Sequence, residues 1–299
     1  MIQQLANASI GVPVTRAGIT FFPVFIHQSA PEFLSGAAGH LEVTERPGAE
    51  VPTLRVSNKN HLPVLISEGE TLNGGWQNRV VNVSVLVPAH SEIDIPVSCV
   101  EAGRWGGRRE FVGRGVKAPR RVRRAATTTV SDNLRVGNSR CSDQSAVWSA
   151  IDRELGMAGI MSSTRAVDDL AERELRDSEL HSAVTHLLAT GPRSGQCGVV
   201  VTHGRRVVAA DIYGTPALFS DAWEMVVRGY LRETVGIPSG SPSATKVLSF
   251  LERVSRKVQS VNAGVGLGSE YRLASRDLAG QALIVDDMLV HASAFALVA

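Results

Sequence analysis

The sequence predicts an α+β fold: an N-terminal antiparallel β-rich sandwich or barrel-like part, followed by a helical and mixed α/β part. Three observations carry this expectation. Six short strand-like segments with tight links fill residues 1 to about 105. From about residue 142 the apolar period shifts from 2 to 3.6. No strand–helix alternation runs long enough for a doubly wound parallel sheet.

In order, the β-branched and aromatic run ITFFPVFIHQ (19–28) comes first, then HLEVTER (40–46), which alternates Leu41 and Val43 with polar neighbours. VPTLRVSN (51–58), LPVLISEG (62–69), RVVNVSVLVP (79–88) and SEIDIPVSCVE (91–101) follow. Pro47-Gly48, Asn58-Lys59-Asn60, Asn73-Gly74-Gly75 and Pro88-Ala89-His90 supply the turns. Val81, Val83, Val85 and Val87 alternate, as do Ile93, Ile95 and Val97, each set marking one buried face of a strand.

Residues 104 to 124 differ in character. Nine are basic (Arg104, Arg108, Arg109, Arg114, Lys117, Arg120, Arg121, Arg123, Arg124), only Glu110 is acidic, and Gly106, Gly107, Gly113, Gly115 and Pro119 interrupt regular structure. A long loop leading to a hinge is expected there. Beyond it, Trp148, Ile151 and Leu155 share a helical face with Ser142 as the expected N-cap, and two shorter helices are expected within 164–189. CGVVVTHGRRVVAADIYG (197–214) reads as a hairpin turning at His203-Gly204. A helix over 220–234 capped by Ser220 and another starting at Ser241-Pro242 precede a return to strands from Val258 to Leu297, with a tight turn at Asp286-Asp287. The division expected is a β-rich part over 1–105, a basic glycine-containing linker over 106–141 and a mixed part over 142–299, or one continuous domain.

Composition sets the outer bounds. With 43% hydrophobic and 20% charged residues the chain has a folded protein's balance, and a net charge of +2 gives no global pull toward nucleic acid or membrane. The three cysteines, Cys99, Cys141 and Cys197, form no C-x-x-C pair, no secretory leader is expected, and no apolar run reaches membrane-spanning length. Together these point to a cytoplasmic protein without a membrane partner.

The densest reactive group is EGETLNGGWQNRVVNVSVLVPAHSEIDIPVSCVEAGRW (68–105). Glu68 and Glu70 are two apart and share a face of an extended strand. Gly74-Gly75 allows close backbone approach, and Trp76, Gln77, Asn78 and Arg79 suit stacking, amide hydrogen bonds and anion pairing. If the strands carrying them are neighbours, Glu70 and Glu101 share a site with Arg79. The same residues also read as solvated turns and strand caps. Cys99 reads as a small buried apolar residue, and Gly264-Val-Gly266-Leu-Gly268 as a hairpin loop. No zinc motif, Walker loop or G-x-S-x-G elbow is present, and no cofactor is assigned.

That segment, together with CGVVVTHGRRVVAADIYGTPALFSDAWEMVVRGY, resembles a bacterial family named for its association with ADP-ribosylglycohydrolases and the rhodanese-phosphatase superfamily, a family without an assigned activity. Glu70, Gln77, Asn78, Arg79, Cys99, Glu101, Arg104 and Trp105 match in the first block, and Asp211, Trp223 and Tyr230 in the second. The resemblance implies a neighbourhood in NAD and ADP-ribose pathways. Two readings follow. In one, the chain binds or hydrolyses an ADP-ribose-like or other nucleotide ligand in NAD-linked metabolism. Glu70 and Glu101 are then the catalytic carboxylates, holding a water, metal or ribose hydroxyls. Arg79 and Arg104 pair phosphate, Gln77 and Asn78 supply amides, and Trp105 or Trp76 stacks on the base. In the other, the chain is a non-catalytic module whose 68–105 segment binds its own second half or a protein partner. Nucleic-acid binding through 104–124 is a weaker third, because Trp105 and Phe111 are its only stacking residues.

Overall fold

The computed structural model describes residues 1–48, 50–113, 115–137, 139–233 and 240–297; Arg114 of the basic stretch and Thr234 of the expected 220–234 helix lie outside them. The chain opens with α1 (Gln3–Ala6), β1 (Ser9–Ile10), β2 (Val14–Arg16) and β3 (Ile19–Phe25). Nine further short strands follow: β4 (Leu34–Ser35), β5 (Leu41–Glu45), β6 (Thr53–Asn58), β7 (Val64–Ile66), β8 (Thr71–Gly74), β9 (Arg79–Val81), β10 (Val85–Val87), β11 (Ser91–Cys99) and β12 (Phe111–Gly113). Then come α2 (Arg120–Arg135), α3 (Gln144–Ala158), a 3-10 turn (Val167–Leu170), α4 (Ala171–Arg176) and α5 (Ser178–Thr190). The hairpin β13 (Gly198–His203) and β14 (Arg206–Tyr213) leads to α6 (Pro216–Leu231) and α7 (Ala244–Arg256). The meander β15 (Val258–Ala263), β16 (Ser269–Ser275), β17 (Leu278–Val285) and β18 (Met288–Ala296) closes the described chain. The architecture is α+β, as expected.

Six N-terminal strands form an antiparallel sheet in the order β12-β8-β9-β11-β6-β5. It curls until its edges meet: Thr44 of β5 bridges Glu110, and the Glu45 amide donates to the Arg109 carbonyl at 3.1 Å. Alternation drives the curl. In β6, Leu54, Val56 and Asn58 are buried while Thr53, Arg55 and Ser57 are half-exposed. Leu54 and Val56 pack with Val43, Leu72, Val81, Ile95 and Val97 to fill the interior.

The remaining large sheet has the order β1-β3-β13-β14-β18-β17-β16-β15, with β2 on β3. Successive side chains alternate between its faces, so β13 sends Val199 and Val201 toward α5 and α6 and Val200 toward α7. The β3 strand, the first of those expected from the sequence, belongs to this sheet together with β1 and β2, so N-terminal and C-terminal strands build it jointly.

Residues 120–135, expected as loop and linker, form α2. Val122, Ala126 and Val130 recur at i+4 and are buried, and Ala and Arg are strong helix formers. The density of arginines hid that apolar stripe. The expected helix caps also shift. Asp143, not Ser142, accepts from the Ser145 amide at 2.8 Å. Thr215, not Ser220, caps α6 with Pro216 at the first helical position, and Ser243, not Ser241, caps α7. The 203–204 and 286–287 turns and the 264–268 hairpin loop stand where expected.

Candidate functional site

Two polar groups that hydrophobic burial alone does not explain stand out. The first lies at one end of the curled N-terminal sheet. Arg79 begins β9 and is paired in register with Cys99 of β11, two residues before Val81 and two after Val97, so both side chains face the apolar interior. Glu45 stands two residues after Val43 in the same sense. The interior is thus apolar in its body and charged at this end. Arg79 Nη2 lies 3.5 Å from Glu45 Oε1, and both side chains are essentially inaccessible. Arg79 Nη1 donates to the Gln77 carbonyl at 2.8 Å, and the Trp76 amide donates to Glu45 Oε1 at 3.1 Å. One donor and one acceptor remain: buried Arg79 Nε and Glu45 Oε2 have no hydrogen-bond partner. Leaving such groups dry costs about 1–3 kcal/mol each, so a polar molecule in that position is favoured.

Over this end sit two indoles. Trp105, 53% exposed, meets Trp76 edge-on with ring centroids 5.6 Å apart. The Arg79 guanidinium lies 5.9 Å from the Trp105 ring and that of Arg109 6.0 Å from Trp76. Glu101 anchors the arrangement, since its Oε2 accepts from Arg104 Nε at 2.9 Å and from the Asn78 amide at 3.2 Å. Arg104 is fully engaged, donating also to the carbonyls of Gly74 and Gly75 and to Asn78 Oδ1. The Asn78 side-chain Nδ2 donates to Asp168 Oδ2 at 3.1 Å, tying this corner to the 3-10 turn. Burial raises the Asp168 carboxyl above its usual range, against the nearby Arg232. Burial likewise raises the Cys99 thiol, which fits an unreactive cysteine, not a nucleophile.

The second group lies between the two sheets and α2. Along one face of the large sheet the register sets Asp211 opposite Ser293, Ser293 opposite Gln281 and Gln281 opposite Arg272, all fully buried. Opposing them, α2 presents Arg123, Thr127 and Ser131 at i+4 spacing. Arg123 Nη2 bonds Glu68 Oε2 at 2.7 Å and Asp211 Oδ1 at 2.6 Å, and its Nη1 bonds Asp211 Oδ2 at 2.8 Å. Tyr230 donates to Asp211 Oδ2 at 2.6 Å. Lys117 Nζ donates to the Glu68 carbonyl. Burial would push the Asp211 carboxyl up, but the Arg123 guanidinium overcomes it and holds the group well below the carboxylate range. Burial, reinforced by Arg123, lowers Lys117 to about 8, and burial with Lys117 lowers His291 to about 4. Two glycines make the assembly possible. Gly69 sits at φ +80° where a Cβ would collide with the Arg123 side chain, and a Cβ on Gly229 would stand 2.5 Å from that of Lys117.

The residues singled out from sequence therefore separate. Gln77, Asn78, Arg79, Glu101, Arg104 and Trp105 gather at the end of the curled sheet. Glu70 goes with the second group. Its Oε1 accepts from the Ala37 amide at 2.7 Å, its backbone bridges Lys117, and burial raises its carboxyl. No contact between Glu70 and Glu101 occurs among the described residues. The strand order, with β9 between β8 and β11, puts Glu101 beside the 76–79 segment and leaves Glu70 on the far end of β8. Sequence reasoning missed Glu45, whose place at an inward position of HLEVTER was the available signal. It also missed Lys117 and Arg123 as individually buried charges. Among the described residues no helix is long and apolar enough to cross a membrane, and no group of three or more His, Cys, Asp or Glu is placed to hold a metal.

A curled β-sheet with a charged, indole-capped end, joined through a buried ion network to a helix-covered larger sheet and accompanied by the small sheet β10-β7-β4, defines an α+β protein with a polar corner. The chain belongs to the ARG and Rhodanese-Phosphatase-superfamily-associated Protein domain family, whose model matches residues 7–295 and so spans both sheets. Comparison with curated proteins and with solved structures gives no significant match.

Proposed function

We propose that the protein binds an ADP-ribose-like nucleotide at the indole-capped end of the curled sheet. The observation that carries this reading is the buried Arg79–Glu45 pair with one unspent donor and one unspent acceptor beneath a half-exposed tryptophan. The Trp105 and Trp76 rings offer a face for a base. Arg109, which makes no ion pair among the described residues, stands over Trp76 to meet a phosphate. Glu101 takes the Asn78 and Arg104 hydrogen bonds on Oε2, leaving Oε1 to accept from a ribose hydroxyl or a water. The family's association with ADP-ribose-linked enzymes supports the choice of nucleotide. Arg104 acts here as the strut that shapes the Gly74-Gly75 turn.

A thermal-shift titration with ADP-ribose tests the reading, because a ligand of the folded state raises Tm by mass action. The expected result is a saturable rise, lost in Trp105→Ala, a substitution at an exposed ring that leaves the unliganded Tm nearly unchanged. No rise at millimolar ADP-ribose, or an equal rise in Trp105→Ala, refutes it. The full engagement of Arg104 in intramolecular bonds favours a second reading, a rigid protein-docking corner. On that reading Arg104→Ala lowers Tm and abolishes capture of a partner while no nucleotide shifts it.

A further inference from the structure

A groove lined by basic side chains lies away from the tryptophan corner. The groove between α2 and α3 has a volume of about 360 Å³ and a floor of small side chains, Ala125, Ala146 and Ala150, edged by the hydroxyls of Thr128, Thr129 and Ser149. Arg121, Arg124 and Arg153 stand over it. The local charge is unbalanced. Arg120 pairs with Glu233 at 3.2 Å and Arg121 with Glu154 at 2.5 Å. Arg124 and Arg153 make no ion pair among the described residues, and the single hydrogen bond of Arg124 is a long one, 3.5 Å to the Ala296 carbonyl. Arg124 is packed in the protein wall among three other guanidinium groups, and its burial and those neighbours lower its proton affinity. Glu233, paired with Arg120, acts on Arg124 less than Arg120 and Arg121 do, so the cations around the groove keep a net repulsion that an anion between them relieves.

We propose that the α2–α3 groove binds a phosphate-bearing small anion, with Arg124 and Arg153 clamping the phosphate and the Thr128 hydroxyl adding a donor at its edge. Guanidinium forks match phosphate oxygens in bidentate fashion, and the alanine floor leaves room for a group the size of a diphosphate. The groove is short and its other basic residue is neutralised by Glu154. That favours a small phosphate over a polynucleotide, which needs a long run of free cations.

Isothermal titration of the full chain with inorganic pyrophosphate, with sulfate as the control anion, tests this. Expected is one saturable pyrophosphate site per chain that Arg124→Gln/Arg153→Gln weakens roughly tenfold or more and that Trp105→Ala leaves unchanged. Ala150→Glu, on a half-exposed floor position, should abolish binding at unchanged Tm, separating loss of the site from loss of the fold. Heat of binding that is absent, that sulfate reproduces equally, or that survives both groove variants overturns the proposal. Loss in Trp105→Ala alone assigns the anion to the tryptophan corner and overturns it as well. A single-stranded oligonucleotide binding more tightly than pyrophosphate, with a steep salt dependence, replaces it with a nucleic-acid surface.

Discussion

Replacing Arg123 by Met, which keeps the side-chain length and removes the charge, probes what joins the two halves. Arg123 makes three contacts of 2.6–2.8 Å with Glu68 and Asp211, and all three side chains are at most 1% exposed. Intact, such a buried triad is nearly neutral for stability, because desolvation offsets attraction; broken, it strands two carboxylates, and the loss is about 3–5 kcal/mol. Lys117, close to both carboxylates, keeps the loss toward the lower end. The pH dependence has a definite sign. In the wild type Asp211 is held ionised far below the usual range by Arg123, so its contribution persists as the medium is acidified. Without Arg123 the burial that pushes this carboxyl up is opposed only by the lesser effects of His291 and Lys117, and the expected result is a folded pKa above the unfolded value. The destabilisation is then full at neutral pH and shrinks as the pH falls through that raised pKa. Urea unfolding of both proteins at pH 7 and pH 4.5, compared as differences, measures this. A loss below about 1 kcal/mol at pH 7, or a difference that widens toward pH 4.5, refutes the assignment of a paired, buried triad.

Three further outcomes follow from the same geometry. Gly69→Ala combines a positive φ with collision against the Arg123 side chain, so it should cost more than the roughly 1 kcal/mol of a strained backbone alone; a Tm within a degree of wild type contradicts it. Asp143→Ala removes the carboxylate that accepts from the Ser145 and Ala146 amides and should cost about 1 kcal/mol in urea unfolding, while Ser142→Ala should not disturb the helix start. Burial holds His203 and His291 at about 4, below the ordinary value near 6.5. The unfolded chain therefore takes up protons first, and stability is complete above about pH 6.5 and falls between there and pH 4. His203→Gln should make that fall shallower, and an unchanged slope removes His203 from the account.

The amino-acid pattern exposed the fold better than the site. Period-2 alternation in 93–97 and the i+4 stripe of Val247, Leu251 and Phe250 with Val254 are local signals, and the strand and helix they announce are present. The strand expected over 79–88 is instead divided into β9 and β10, which are buried on both faces and pair in different sheets. The α2 helix was hidden because nine basic residues within 104–124 outweighed Val122, Ala126 and Val130; Arg120, Arg121 and Arg123 of that run meet acids from elsewhere in the chain. The site was legible only where its members are near in sequence: Trp76 to Arg79 and Glu101 to Trp105 come together across neighbouring strands. Glu45 joins them through curling of the whole sheet, and Glu68, Lys117, Arg123 and Asp211 through the packing of three separate elements. No short-range pattern encodes either closure. Asp211 and Tyr230, singled out by the resemblance, lie in the second group, bonded to each other.

The meeting of Thr44 with Glu110 makes the N-terminal sheet a split ring, not a sealed one. Its seam consists of backbone contacts at residues 44–45 and 109–110, and the strip on one side of that seam is the same loop that carries Trp105 and Arg109. Residues 106–108 alone separate Trp105 from the seam, so on the proposed reading a molecule held beneath the indole would alter how often the ring opens. The Glu45 amide, which closes that clasp, becomes the natural reporter: its hydrogen-exchange rate reads how often the ring opens, and occupancy of the corner is felt there as a change in the lifetime of a single hydrogen bond.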